Sequence, residues 1–307
     1  MSLRELVLLG TASQVPTRDR NHNGYLLRWD GHGILFDPGE GTQRQLTRAG
    51  VAATSITRIC ITHFHGDHCL GLPGIIQRLS LDGVTRPIEI YFPASGEVYF
   101  ERLVGAAINR HEAELRPRPL SGGETIDLGD LRLSCQELDH GVETLGWRLE
   151  ETEGRTMLPH RLEELGISGP DIGQLQRAGS LEVQGRTVLV EEVSVPRHGQ
   201  RFAFVMDTGV CDAALDLARG ADLVVSESTF LSEDAALAAE YKHLTAADAA
   251  RLAQDAGARR LVLTHFSQRY SNLEPFGQEA REIFGEEVIV GRDLTRVAVP
   301  PRAATRP

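Results

Sequence analysis

A run of six residues, His63-Phe64-His65-Gly66-Asp67-His68, holds three imidazoles and one carboxylate at a spacing suited to metal binding. Imidazole nitrogens and carboxylate oxygens are ligands that Zn²⁺ takes in proteins. His63 and His65 can both face one point if the chain there is extended or turning, and Asp67 and His68 can then reach a second point nearby. The run therefore predicts a two-metal site, which can activate a water and stabilise both the attacking and the leaving oxygen of a displacement.

Three further candidate ligands each follow a predicted strand. His140 follows residues 133–138, Asp207 follows 204–206 and His265 follows 261–264. Strand ends are held rigidly by the sheet, which suits them to active-site residues. A single histidine in such a place is most often structural, but these three residues and the run at 63–68 together make seven candidate ligands. Asp207, with two carboxylate oxygens, is the natural bridge between two metals.

The elements that would position these residues follow from the apolar pattern. Helices are predicted after Gly41, at 71–81, at 212–219 and from Thr245, a good N-cap, to a stop at Gly257. The dipeptide Asp30-Gly31 predicts a hairpin turn. Strands alternating with helices in two halves indicate an α/β fold with two sheets packed between helical layers. The strands are predicted at 6–9, 25–29, 33–37, 59–62, 88–92, 201–206, 223–226 and 261–264.

The stretch from about 151 to 200 has a different composition. It is rich in Gly, Pro, Arg and Glu and has few long apolar runs. A short helix is predicted at 162–165, and Gly166-Ile167-Ser168-Gly169-Pro170 breaks regular structure after it. From the residues alone, this stretch is either an inserted arm or a surface loop.

Composition limits the class of protein. The 307 residues carry a formal net charge of −11, which counts against nucleic-acid binding unless bound cations or local basic patches offset it. No apolar stretch approaches the length of a membrane span, and the N-terminus lacks the features of a signal peptide. The four cysteines form no Cys-x-x-Cys pair and indicate reduced thiols. These features predict a cytoplasmic protein.

The chain resembles the metallo-β-lactamase superfamily and, within it, the ribonuclease Z family of tRNA 3′-processing endonucleases. The resemblance extends to about Val299 and includes the run at 63–68 and the segments at 9–17, 37–43, 207–209 and 263–270. It implies one domain over residues 1–307 with the αββα metallo-β-lactamase sandwich, in which two mixed sheets pack between helical layers. It also implies a protruding Gly/Pro-rich exosite arm at about 151–200.

The resemblance also implies roles for individual residues. One zinc would be held by His63, His65, His140 and Asp207, and the other by Asp67, His68, Asp207 and His265. Mn²⁺ or Fe²⁺ can take the same ligands. Asp67 would hold or deprotonate the attacking water, and His243, supported by Glu227, would protonate the leaving oxygen. Ser267 and Arg269 are candidate phosphate contacts, and Arg177 is a candidate substrate contact in the arm.

The implied function is that of a zinc-dependent endoribonuclease. It would remove the 3′ trailer from precursor tRNA, leave a 3′-hydroxyl on the tRNA and a 5′-phosphate on the trailer, and act as a homodimer whose arm grips the tRNA elbow. A small-molecule phosphodiesterase or other ester hydrolase with the same dinuclear site is the main alternative, favoured by the acidic charge and the lysine-poor arm. A non-enzymatic RNA-binding module with a structural metal is disfavoured, because structural zinc sites close at four ligands and need no bridging carboxylate.

Overall fold

The computed structural model describes residues 3–108 and 113–302. Its strands in chain order are β1 (Arg4–Gly10), β2 (Gly24–Trp29), β3 (His32–Phe36), β4 (Arg58–Cys60), β5 (Ile88–Pro93), β6 (Leu115–Leu120), β7 (Thr125–Asp127), β8 (Leu131–Glu137), β9 (Leu145–Glu151), β10 (Gly154–Met157), β11 (Ser180–Val183), β12 (Arg186–Leu189), β13 (Ser194–Arg197), β14 (Arg201–Val205), β15 (Leu223–Glu227), β16 (Leu261–Thr264), β17 (Val288–Val290) and β18 (Arg296–Ala298).

The helices are α1 (Thr42–Arg48), α2 (Gly66–Cys69), α3 (Leu72–Leu81), α4 (Glu97–Val104), α5 (Pro159–Glu164), α6 (Pro170–Ala178), α7 (Asp212–Ala218), α8 (Ala235–Tyr241), α9 (Ala246–Asp255) and α10 (Glu274–Phe284). Among the described residues, no helix has the length and apolar character that a membrane crossing needs.

Two seven-stranded mixed sheets form the body. The first has the order β18-β1-β2-β3-β4-β5-β6, with parallel pairing from β3 to β6. The second has the order β17-β16-β15-β14-β9-β8-β7, with parallel pairing from β17 to β14. Parallel neighbours direct their carboxyl ends to one edge of a sheet, so residues that follow β4, β14, β15 and β16 can share a site.

Side-chain alternation along the strands explains why the sheets stack. On β1, Leu6 and Leu8 face the core between the sheets, whereas Val7 and Leu9 face the layer of α1 and α3. On β14, Phe202 and Phe204 face the same central core, whereas Ala203 and Val205 face α7 and α9. A strand that is apolar on both faces must be covered on both faces, and this requirement produces the four-layer αββα sandwich. The predicted fold class is confirmed.

Local signals also behave as predicted. Asp30 has a left-handed φ of 53° in the turn between β2 and β3, the predicted hairpin. The Thr245 hydroxyl accepts a hydrogen bond from the Asp248 N–H at 3.1 Å, and Asp248 accepts one from the Thr245 N–H at 3.2 Å. This reciprocal capping box begins α9 at the predicted residue. Gly257, with a φ of 65°, follows the end of the helix.

The stretch at 154–197 is folded, so the surface-loop interpretation is wrong. Strands β10 and β13 pair antiparallel from Gly154↔Arg197 to Met157↔Ser194 and form its stem, and β11 and β12 form a second hairpin. The predicted short helix is present as α5, while α6 was not predicted. A separate apolar cluster lies within this stretch and consists of Leu162, Ile167, Leu175, Val188, Val190 and Val193.

Candidate metal centre

The seven candidate ligands come from separate parts of the chain and meet at one edge of the two sheets. His63, His65, Asp67 and His68 follow β4, with the last two on the single turn of α2. His140 lies between β8 and β9, Asp207 follows β14 and His265 follows β16. Asp207 and His265 have left-handed φ values of 42° and 62°, which are uncommon for residues other than glycine and concentrate at functional sites.

The described side chains that could hold an ion fall into three overlapping groups, and the ligand atoms of each group lie within 4.8 Å of one another; two groups consist of the predicted ligands, and the third is Asp207, His243 and His265. His63, His65, His140 and Asp207 make the first, and Asp67, His68 and His265 make the second. Asp207 faces both. Its Oδ2 lies 3.6 Å from Nε2 of His63 and 3.8 Å from Nε2 of His140, whereas its Oδ1 lies 3.4 Å from Nε2 of His68 and 3.1 Å from Nε2 of His265. The arrangement therefore offers two adjacent cation positions that share one carboxylate.

Hydrogen bonds to the opposite ring nitrogens orient the imidazoles. Nδ1 of His68 lies 2.8 Å from Asp37, and Nδ1 of His140 lies 3.3 Å from the Lys242 carbonyl. The Thr62 hydroxyl donates to Asp37, so at 3.0 Å it accepts from Nδ1–H of His63.

Thr229 acts on His265 in the same way. Its hydroxyl donates to Glu227 at 2.6 Å and therefore accepts from Nδ1–H of His265 at 2.7 Å. With the three histidines above, four rings thus turn Nε2 towards the site, where each neutral ring offers a lone pair. This is the usual arrangement around a histidine that binds metal.

Unsatisfied polar atoms test whether a metal fits these residues. Nε2 of His140, Nε2 of His265 and Oδ1 of Asp207 are buried and have no hydrogen-bond partner in the part of the chain that the structure describes. Each buried polar atom without a partner lowers the stability of the folded protein by about 1–3 kcal/mol, so native proteins rarely contain such atoms. All three point to the centre of the cluster, where a cation would satisfy them.

The charges of the cluster agree with this fit. Burial lowers the pKa of His68, but the carboxylates of Asp207, Asp67 and Asp37 outweigh burial and raise it well above its ordinary value. Burial raises the pKa of Asp207, but the surrounding imidazoles hold it well below the usual range. The buried carboxylates thus require a positive charge, which a metal ion can supply in place of a proton. The structure therefore has a His/Asp cluster able to bind metal.

His243 and Glu227 form a second buried unit beside the cluster. Nδ1 of His243 lies 2.9 Å from Oε1 of Glu227, a residue with no exposed surface at the end of β15. Burial lowers the pKa of His243, but the Glu227 carboxylate more than offsets it and raises the pKa to about 9. With Nδ1 bound to Glu227, Nε2 is the ring nitrogen available to the cleft, where a protonated imidazole can donate.

A cleft of about 580 Å³ opens over the cluster. Of the predicted substrate contacts, Ser267 and Arg269 line it, the serine buried and the arginine exposed. Arg177 lies on α6 and is not among the residues that line the cleft. The structure therefore brings two of the three candidates to the metal cluster.

Several residues that serve the site were not predicted from the sequence. Asp37 orients His68 and Thr62, and Thr229 links Glu227 to His265. The Asn23 amide nitrogen lies 3.2 Å from Nε2 of His68. Asp37 could have been found, because it follows an apolar strand as Asp207 does. Threonine and asparagine are too common in loops for their positions to indicate such a role.

Comparisons with known proteins agree with this geometry. A family model described as Metallo-beta-lactamase superfamily matches residues 17–159, and one described as Beta-lactamase superfamily domain matches residues 178–266. The chain is 60% identical to a Ribonuclease Z from Nocardia farcinica and 58% identical to one from Streptomyces coelicolor, in each case over 98% of this chain and 100% of the other. A crystal structure of human tRNase Z, short form, is 25% identical with a TM-score of 0.70, covering 97% of this chain and 100% of that chain.

Proposed function

This chain belongs to the ribonuclease Z family of the metallo-β-lactamase superfamily, and we propose that it cleaves the 3′ trailer from precursor tRNA as an endonuclease, leaving a 3′-hydroxyl on the tRNA and a 5′-phosphate on the trailer. The observation that carries the proposal is the position of Asp207 between two groups of ligands beneath an open cleft. Full-length identity to proteins named Ribonuclease Z supports the choice of substrate.

We propose two zinc ions as cofactors, with Mn²⁺ or Fe²⁺ as alternatives. Zinc at such a site lowers the pKa of water towards neutrality and offsets charge on a phosphate. Asp207 would contribute one oxygen to each position. The first ion would be held by His63, His65, His140 and Asp207, and the second by Asp67, His68, Asp207 and His265.

Two groups of this chain would move protons. The Asp67 carboxylate lines the cleft, so it can orient the attacking water and accept its proton. His243 lines the same cleft and is held through Nδ1 by Glu227, so its Nε2 can deliver a proton to the leaving 3′-oxygen of the tRNA. The leaving 3′-oxygen needs that proton, because an alkoxide is a poor leaving group and an alcohol is a good one.

Residues outside the proton path would position the RNA. Ser267 and Arg269 lie at the cleft, where a hydroxyl and a guanidinium can bind phosphate oxygens. The folded stretch at 154–197, which carries Arg177, would dock the body of the tRNA. We propose that it does so across a homodimer in the cytoplasm, as the family resemblance implies. Its separate apolar cluster supports this role, since a docking element must hold its own shape.

A small-molecule phosphodiesterase is the second candidate. The net charge of −11 favours it, and so does the charge balance within residues 154–197, which contain six acidic residues and five arginines. Such a surface attracts a polyanion weakly.

One experiment separates the two candidates. The purified protein is loaded with zinc and given a labelled precursor tRNA with a 3′ trailer, and the product ends are mapped. We expect a single cut with the stated ends, and loss of all cleavage in Asp67→Ala but not in Asp216→Ala, which alters an exposed carboxylate. Turnover of bis(4-nitrophenyl) phosphate without any cut in the precursor would favour the small-molecule enzyme.

A further inference from the structure

Tyr241 is an exposed aromatic residue at the wall of the cleft. It is the last residue of α8, is 53% exposed, and lines the cleft together with His140 and His243. Tyr99 and Tyr241 are the two exposed tyrosines among the residues that the structure describes, and Tyr99 is not among the cleft residues. An exposed ring beside a nuclease centre suits the stacking of an unpaired base, which does not depend on base identity.

Lys242, the next residue, is the single lysine among 32 basic residues. Its Nζ lies 2.7 Å from Oδ1 of Asp139, with the two side chains 45% and 51% exposed. Ion pairs this exposed are weak, so the ammonium can exchange the carboxylate for a phosphate. Lys242 also lines the cleft, and of the described residues that line it, Arg269 is the other basic one apart from the histidines.

The backbone of Lys242 is tied to the candidate metal centre. Lys242 follows the last residue of α8 and has a left-handed φ of 54°, and its carbonyl accepts a hydrogen bond from Nδ1 of His140 at 3.3 Å. The residue after it is His243, which is held by Glu227 at 2.9 Å. Lys242 therefore adjoins the residue assigned to protonate the leaving 3′-oxygen, and Tyr241, two residues before it, lines the same cleft.

We propose that Tyr241 and Lys242 form a subsite for the last nucleotide that the tRNA retains, with the base stacked on Tyr241 and a phosphate of that nucleotide bound by Lys242. The assignment rests on the proposed function. The departing 3′-oxygen belongs to the retained nucleotide, so that nucleotide must lie beside His243, whereas the first trailer nucleotide lies across the scissile phosphate.

The stacking part is tested with precursor tRNAs that carry an abasic residue either at the last retained position or at the first trailer position. For the wild type, we expect the first substitution to raise KM about tenfold. Tyr241→Ala should raise KM for the intact precursor by a similar factor and should then be insensitive to the abasic residue. Tyr241→Leu, which keeps an apolar side chain without a π face, should behave in the same way, and Leu81→Ala, at another exposed apolar residue, should match the wild type.

The results against this part are equally definite. The stacking role is wrong if Tyr241→Ala loses the same factor as the wild type at the retained position. Loss of sensitivity at the trailer position instead would overturn the assignment to the retained nucleotide. A wild type that does not cut the intact precursor would overturn the proposed function and the subsite together.

The phosphate part is tested by salt dependence. A cation that binds one phosphate contributes close to one unit to the slope of log KM against log salt concentration. Lys242→Gln should reduce that slope by about one. Arg219→Gln, which removes an exposed ion pair of similar geometry with Asp216, should leave the slope unchanged. An unaltered slope in Lys242→Gln would overturn the phosphate contact, because loss of a merely structural pair would change stability without changing the slope.

Discussion

The imidazole of His68 and the carboxylate of Asp37 form a completely buried pair, with 2.8 Å between Nδ1 and Oδ2. The same carboxylate accepts hydrogen bonds from the N–H of Thr62 at 2.7 Å and from its hydroxyl at 2.8 Å. Thr62 in turn holds His63. One acidic residue after β3 therefore orients a candidate ligand in each of the two groups.

Asp37→Asn should weaken zinc binding by about 10–100-fold, the range typical for loss of an outer partner of a metal ligand. The amide keeps one acceptor oxygen and turns an NH₂ group towards donors. Competition with a fluorescent zinc chelator measures the affinity. Asp130→Asn is the control, since Asp130 pairs with His32 at the surface. Equal zinc affinity in Asp37→Asn and the wild type would contradict the orienting role.

His243→Ala should lower kcat for precursor tRNA by about 10²–10⁴-fold, the usual contribution of a general acid. The loss should be far smaller for bis(4-nitrophenyl) phosphate, because nitrophenolate leaves without a proton. His198→Ala, at an exposed histidine, is the control. Similar losses on both substrates would assign His243 to binding rather than to proton transfer.

Removal of metal by chelation should abolish cleavage while the protein stays folded. The melting temperature should fall by about 5 °C or more, because the unsatisfied atoms and buried carboxylates lose their counter-charge. Circular dichroism shows whether the protein stays folded, calorimetry measures the melting temperature, and an assay with labelled precursor tRNA measures cleavage. Added zinc should restore both the melting temperature and cleavage. Such a result would exclude the RNA-binding module with a purely structural metal, and cleavage that survives chelation would contradict the role of metal.

Replacement of residues 155–196 by a short Gly-Ser linker should leave the two-sheet body folded. Gly154 and Arg197 are paired neighbours, so the linker has little distance to span, and the apolar cluster that is lost belongs to the removed stretch. We expect kcat/KM for precursor tRNA to fall about 100-fold and turnover of bis(4-nitrophenyl) phosphate to persist, as expected for loss of remote binding energy. Equal loss on both substrates would show that the stretch supports the body instead of docking tRNA.

Glu151→Gln should destabilise the protein at neutral pH. Burial raises the pKa of Glu151, but hydrogen bonds from Arg302 and Arg4 outweigh it and lower the pKa to about 2 from an ordinary value of 4.5. A carboxylate whose pKa is depressed by folding contributes its full stability above the unfolded pKa and loses it as pH falls towards the folded pKa.

Urea unfolding at several pH values measures this effect. The free energy of unfolding of Glu151→Gln should be lower by about 2 kcal/mol at pH 7, and the difference should shrink between about pH 4.5 and pH 2. Glu163→Gln, at an exposed glutamate of α5, should show no such change. A difference that stays constant over this range would exclude an electrostatic origin.

Helices α9 and α6 differ in whether the local sequence pattern predicts them. Thr245 and the alanines after it carry an N-cap and a helical apolar face, so α9 could be predicted. Helix α6 has a single fully buried side chain, Leu175, and lies in a stretch dominated by Gly, Pro and charged residues. Its helical state depends on packing against β11, which a pattern along one segment does not reveal.

The amino-acid sequence alone was sufficient to identify the candidate ligands and the strands that precede them, because ligand chemistry and side-chain periodicity are properties of short segments. The pairs Asp37–His68 and Glu227–His243, and the exposure of Tyr241 at the cleft, required the folded molecule. Those relationships depend on the order of strands in two sheets and on left-handed residues at strand ends, and both are set by contacts between segments distant along the chain.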